Sequence, residues 1–212
     1  MFESDTALLV IDVQNDFVSG GALAVPDGDA VVPLINRVAQ SFGRVVLTQD
    51  WHPVGHASFA SGYSDQQVFD VITLPEVGPQ VLWPDHCVQD TPGAAFHPDL
   101  QIPHAQLVLR KGCHPRVDSY SAFMEADRRT LTGLAAYLQV HGVRRVVLCG
   151  LALDYCVAWS AMDARAAGFE TVVLQDACRA IDARGSLAQA LSDMLRAGVA
   201  LHDSAEFVGA GV

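Results

Sequence analysis

The sequence predicts a doubly wound α/β protein, with a mainly parallel sheet, helices on both faces and one domain over residues 1–212. Three observations carry this. Half of the 212 residues are hydrophobic and only 17% are charged, as expected of a sheet covered on both sides. Short apolar runs recur that are near-continuous rather than alternating, the pattern of strands buried on both faces. Between them lie segments with apolar residues at helical spacing, and this alternation of strand and helix is the signature of a parallel sheet. No linker-like Pro/Gly/Ser stretch and no internal repeat divides the chain.

Residues 6–13, TALLVIDV, read as the first strand, interrupted by Asp12. After a turn at Gly20 and Gly21, Val31, Leu34, Ile35 and Val38 form the stripe of an amphipathic helix that Asp27 or Asp29 would start. RVVLTQ at 44–49 is the second strand, followed at once by Asp50. Residues 51–106 read as a long irregular stretch, holding most of the prolines and five of the eight histidines; loops of that length are usually functional. QLVLR at 106–110 delivers Lys111, and Leu131, Leu134, Ala135 and Leu138 repeat the helical spacing. RVVLCG at 145–150 leads into a helix that Asp154 would cap and Gly168 would end, with Cys156 in its first turn. ETVVLQ at 170–175, a helix through Leu187, Ala190, Leu191, Met194 and Leu195, and VALH at 199–202 complete the order.

The net charge of −11 comes from 24 acidic and 13 basic residues spread thinly. Nucleic acid and anionic membranes are therefore poor partners. No apolar run approaches the roughly 20 residues of a membrane span, and the start of the chain, with Glu3 and Asp5, lacks a basic leader. A cytoplasmic protein is expected. Five cysteines at irregular spacing suggest neither a disulfide framework nor a zinc finger, so Cys87, Cys113, Cys149 and Cys178 read as reduced thiols that pack.

In an open α/β sheet, side chains just beyond the carboxyl ends of the strands converge on one crevice. Asp12, Asp50, Lys111 and Cys156 all sit there, and together they have the composition of a hydrolase site. Taken singly, each is an ordinary strand-end residue, and a cysteine in an apolar turn is more often packing than nucleophile. At a helix start beside a lysine, however, the Cys156 thiolate is favoured. A second constellation is Asp50, His52, His56 and His86. Two side chains two positions apart in extended chain reach one ion, and a distant histidine completes three ligands for a divalent metal such as zinc, manganese or iron. A solvated histidine-rich loop is the plainer alternative. His97, His104, His114, His141 and His202 are assigned to surface or packing.

IDVQNDF at 11–17, TQDWHP at 48–53, GHASFAS at 55–61, WPDHCVQDTPGAAFHPDL at 83–100, RKG at 110–112 and GLALDYCV at 150–157 together resemble the nicotinamidases, the metal-containing branch of the isochorismatase-like cysteine hydrolases. The resemblance implies that fold, an Asp12–Lys111–Cys156 triad, and one divalent ion, zinc first, on Asp50, His52 and His86, with His56 as a fourth candidate. It implies a cis peptide at Leu151–Ala152 and an oxyanion hole from the amides of Ala152 and Cys156. Phe17 and Trp83 match the aromatics that sandwich a pyridine ring, Tyr120 and Tyr155 match pocket walls, and Gln14 would orient the catalytic carboxylate. The implied activity is hydrolysis of nicotinamide, and of pyrazinamide, through a thioester. The partner is then a small heteroaromatic amide, with self-association left open. Rival readings are a carbamoyl or ureido amidohydrolase with the same triad, a vinyl-ether hydrolase that leaves Cys156 unused, and a non-catalytic thiol or metal sensor that leaves Asp12 and Lys111 without work.

Overall fold

The computed structural model describes residues 5–75 and 77–208, so Glu3 lies outside the described residues. β1 (Thr6–Ile11) and β2 (Val45–Asp50) are buried along their whole lengths. β5 (Leu107–Lys111), β6 (Arg145–Leu151), β7 (Glu170–Arg179) and β8 (Ala200–His202) complete a sheet of order β5-β2-β1-β6-β7-β8 in which every pairing is parallel. The apolar runs mark the central strands because those strands have no solvent face to give to polar residues. At the edge, β5 alternates between partly buried and exposed positions until Lys111, which is fully buried.

The strand order runs one way through β1, β2 and β5 and the other way through β6, β7 and β8. Right-handed crossovers in opposite directions place their helices on opposite faces, and the reversal leaves a crevice beyond the ends of β1 and β6. α1 (Val31–Ala39) buries Val31, Val32, Ile35 and Val38, the expected stripe. α2 (Leu134–Val140), α3 (Ala158–Ala166) and α4 (Ser186–Arg196) follow β5, β6 and β7.

Several local expectations are corrected. Neither Asp27 nor Asp29 caps α1. Asp27 is in left-handed conformation, and the Asp29 carboxylate accepts from the amide and hydroxyl of Ser19. Leu131 is outside α2, exposed and bridged to Met124, because Gly133 takes a positive φ and restarts the chain. Asp154 does not cap the helix after β6. Its carboxylate accepts from the amides of Ile181 and Asp182 and the Ser186 hydroxyl, tying the β7–α4 connection to the β6 end. The stretch 51–106 is not wholly irregular, since β3 (Val71–Leu74) and β4 (Gly78–Val81) form an antiparallel hairpin. Pro75, Gly78 and Pro79 mask it in the sequence, because proline and glycine read as strand breakers. β7 also runs past its predicted end, to Arg179.

Candidate active site

The chain leaves β1 through Asp12, whose φ of 48° is left-handed, a conformation aspartate tolerates better than most residues. Thr48, on β2, donates from Oγ1 to Asp12 Oδ1 at 2.6 Å, and the Asp12 amide donates back to Thr48 Oγ1 at 3.1 Å. Asp12 Oδ2 lies 2.8 Å from Lys111 Nζ, an ionic contact that leaves it without a well-aligned hydrogen bond. Lys111 pairs with Asp50 in the β5–β2 register and donates to Asp50 Oδ1 at 3.0 Å and to the Ser119 carbonyl at 2.8 Å. Its Nζ is also 3.5 Å from Cys156 Sγ. Cys156 sits in a π-helical turn, Leu153–Val157, in which the Val157 amide donates to the Ala152 carbonyl. Such turns cluster at functional sites. Nucleophile, carboxylate and ammonium therefore meet in one buried cluster.

Burial disfavours every charge here, and the partners decide which charges survive. For Lys111, burial pulls the pKa down, but Asp12 and Asp50 outweigh it and hold it well above the ordinary value. Burial pushes the Cys156 thiol well up, and Lys111 only partly offsets this. Desolvation thus works against the thiolate that the neighbouring ammonium favours. Burial also raises Asp12, against the pull of Lys111.

Asp50 faces two ways. Its Oδ1 takes Lys111, while its Oδ2 lies 3.1 Å from His52 Nε2 and 3.5 Å from His86 Nε2. His52 Nδ1 is 3.0 Å from the Gly112 carbonyl and His86 Nδ1 is 2.8 Å from the Pro84 carbonyl. Each carbonyl accepts the Nδ1 hydrogen, so both Nε2 atoms face one carboxylate oxygen, a contact that either a proton on His52 Nε2 or a metal cation completes. Burial works against charge on His52, yet Asp50 lifts it to about 8. Burial likewise works against the Asp50 anion, but His52 and Lys111 hold its pKa well below the usual range. Two imidazoles and an ionised carboxylate fit a divalent metal. His56 lies against His52, ring centroids 4.3 Å apart, and comes within ligand distance of His52 and Asp118 rather than of Asp50 and His86; its Nδ1 accepts from Ser58 and its Nε2 faces the Val117 carbonyl.

Gly112 explains how His52 gets its room. At φ +67° a Cβ there would stand 2.6 Å from His52 Cε1 and 2.8 Å from Nδ1. Gly112→Ala is therefore expected to displace the ring and weaken metal retention about tenfold; metal analysis after dialysis against a chelator checks it.

Cys156 opens onto a narrow cavity shared with Asp50 and His86, with Phe17, Trp83, Tyr120 and Tyr155 in its walls. Trp83 Nε1 donates to the Tyr120 hydroxyl at 3.0 Å, and Tyr155 packs edge-on to Trp83 with centroids 4.8 Å apart. The cavity is narrow, aromatic and polar at one end, suited to a planar ring bearing a polar group. The Leu151–Ala152 peptide is cis, and Ala152 lines the cavity beside Cys156.

Residues 6–206 match the isochorismatase domain model. The chain belongs to the isochorismatase family. It is 55% identical over 196 residues to the nicotinamidase of Acinetobacter baylyi, covering 92% of this chain and 91% of that one. The structure of the Acinetobacter baumanii nicotinamidase and pyrazinamidase superposes with a TM-score of 0.95 at 53% identity, covering 96% of this chain and 98% of that one. The Pyrococcus horikoshii pyrazinamidase in complex with zinc superposes with a TM-score of 0.76 at 36% identity, covering 94% and 99%.

Within this isochorismatase domain, one expectation about Gln14 changes. Its side chain does not reach Asp12. Gln14 Nε2 donates to the Asp50 and Ala94 carbonyls, and its Oε1 accepts the Asp50 amide, so it braces the Asp50 backbone and stays out of the cavity wall. Three residues escaped sequence reasoning: Thr48, which orients Asp12, Asp118, a buried carboxylate in the cavity wall, and Ile181, which lines the cavity from the β7–α4 connection. Thr48 was legible in principle, since it lies two positions before Asp50 on the same strand face.

Proposed function

We propose that this chain is a nicotinamidase that hydrolyses nicotinamide to nicotinate and ammonia, and deamidates pyrazinamide, as one domain. The observation that carries the reading is that the Asp12–Lys111–Cys156 cluster and the Asp50–His52–His86 donors open onto the same aromatic cavity. A thiol hydrolase without a ring to recognise would have no use for the second set.

Cys156 rests as a thiol, so Asp12 acts as general base. Its Oδ2 takes the sulfur proton as sulfur bonds to the carboxamide carbon. The amides of Ala152 and Cys156 receive the developing oxyanion. Asp12 then passes the proton to the amide nitrogen, the C–N bond breaks and ammonia leaves a thioester on Cys156. Water attacks this thioester while Asp12 takes its proton; the C–S bond breaks, and the proton returns to sulfur as nicotinate departs. Lys111 keeps Asp12 oriented throughout. Phe17 and Trp83 hold the ring between them, and Tyr120 and Tyr155 close the walls. A divalent ion on Asp50, His52 and His86, zinc by preference and manganese or iron by the same donor chemistry, supplies when bound an open position for the pyridine nitrogen. The free thiols suit a reducing compartment and support a cytoplasmic setting. Among the described residues no helix is long and apolar enough to cross a membrane.

The test is ammonia release from nicotinamide, pyrazinamide and benzamide by the reduced, zinc-supplemented protein. Nicotinamide and pyrazinamide are expected to turn over, with benzamide slower by about 100-fold or more for want of the ring nitrogen. Equal rates on benzamide would remove the ring-recognition role of the second set. No release from any of them would overturn the amidase reading.

A further inference from the structure

Asp118 is 3% exposed, lines the cavity and is used by no step above. Its Oδ1 accepts the Ser119 amide at 2.8 Å and its Oδ2 accepts Gln80 Nε2 at 2.8 Å, so both oxygens act as acceptors. Both of these partners are neutral. The nearest cationic candidate is His52, whose Nε2, the same nitrogen that faces Asp50, lies 3.9 Å from Asp118 Oδ1. That one nitrogen is thus approached by two carboxylates, and His52 belongs to both sets of side chains that reach ligand distance here, one with Asp50 and His86 and one with His56 and Asp118.

Counting charge makes this arrangement informative. The buried carboxylates at Lys111 and His52 are three, Asp12, Asp50 and Asp118, against one ammonium. When His52 is neutral and offers Nε2 to an ion, two negative charges are left without a partner, and buried charges are tolerated only when paired. One divalent cation balances them. Were Asp118 not part of the account, the same cation would leave a buried surplus of one positive charge, since Lys111 already takes up one of the two remaining carboxylates.

We propose that Asp118 is the second carboxylate of the metal site, balancing the ion's charge from beside the His52 nitrogen that Asp50 also faces, and that Gln80 is the positioning residue that aims it. Gln80 stands on β4 of the hairpin, 2% exposed. Its Nε2 is shared among the Val81 carbonyl, Asp118 and the Tyr120 hydroxyl. The hairpin thus has a function beyond covering the cavity: it fixes an anion that no residue of the main sheet holds.

This inference rests on the metal reading given above, and the experiment separates the two. Apo protein is titrated with Zn²⁺ in competition with a chromophoric chelator, for wild type, Asp118→Asn, Gln80→Met and Asp50→Asn, and each apo form is melted. Asp118→Asn is expected to bind Zn²⁺ about tenfold more weakly or worse, and Gln80→Met a few-fold more weakly. Apo Asp118→Asn is expected to melt no lower than apo wild type, because one unbalanced anion has gone; a merely structural role would lower it. Wild-type Zn²⁺ affinity in Asp118→Asn, with Asp50→Asn impaired, overturns this proposal and leaves the metal reading standing. A wild type that binds no better than Asp50→Asn overturns both. If Asp118→Asn does not fold, Gln80→Met decides, and wild-type affinity there overturns the proposal.

Discussion

Cys156→Ala is expected to bring nicotinamide turnover down by on the order of 10⁴-fold or more, with the protein folded and its metal retained. The size follows from the sulfur's position. Cys156 Sγ is 3.5 Å from Lys111 Nζ, which also contacts Asp12, and opens onto the cavity, and no other described thiol lines that cavity. Cys149 and Cys178 lie inside the sheet, and burial raises both thiols. Cys87 is buried and Cys113 is exposed. Alanine removes a small side chain, so the residues that hold the ring and the metal donors stay where they are. Single-turnover ammonia release and equilibrium binding of nicotinamide, measured on the same preparation, check it. The expected pattern is lost chemistry with binding kept; turnover within tenfold of wild type would mean that another group makes the covalent bond.

Lys111→Met should damage both halves of the site and the fold. Lys111 is the one described cation in contact with Asp12, Asp50 and the Cys156 sulfur together. Methionine approximates its length but supplies no charge, leaving two carboxylates facing each other in a buried space. Removing one partner of a buried ion pair typically costs about 3–5 kcal/mol, and loss of an oriented base lowers kcat by about 10³-fold or more. Because the surplus of negative charge grows, bound Zn²⁺ should raise the melting temperature of Lys111→Met by more than it raises that of wild type. Chemical denaturation and melting curves with and without Zn²⁺ measure both effects. A variant as stable as wild type would mean that Asp12 or Asp50 is protonated in the folded protein.

The sheet and the candidate site residues were legible largely for one physical reason. The strands of a parallel sheet carry few polar residues on their buried faces, so Asp12, Asp50, Lys111 and Cys156 stand out at or just beyond the ends of apolar runs. His52 was legible from its spacing to Asp50. What stayed hidden depends on contacts between segments distant in sequence. Asp118 lies in CHPRVDSY, which has no periodicity, and its use is apparent only when Gln80 arrives from a hairpin obscured by its own prolines. Asp27, Asp29 and Asp154 were misread because an aspartate near a helix start signals a cap only if its side chain turns back onto that helix. Here Asp29 and Asp154 turn to other loops, and Asp27 makes no cap bond. Cys156 was found by position, but the desolvation that opposes its thiolate was not legible, because it depends on how completely the finished fold excludes water.

The strand order also governs how the protein acquires activity. Thr48 reaches Asp12 across 36 residues, Lys111 reaches Asp50 across 61 and Cys156 across 45. Every neighbour pairing in the main sheet is parallel, so no local hairpin closes any of these contacts. Topologies built on such nonlocal pairings fold slowly, since loop-closure entropy is lost before the contacts that offset it form. A growing chain that has not yet reached Cys156 already contains both carboxylates and the lysine, with no nucleophile to serve. The cluster of Asp12, Lys111 and Cys156 is complete only when β6, which leads directly into the Cys156 turn, takes its place beside β1 at the centre.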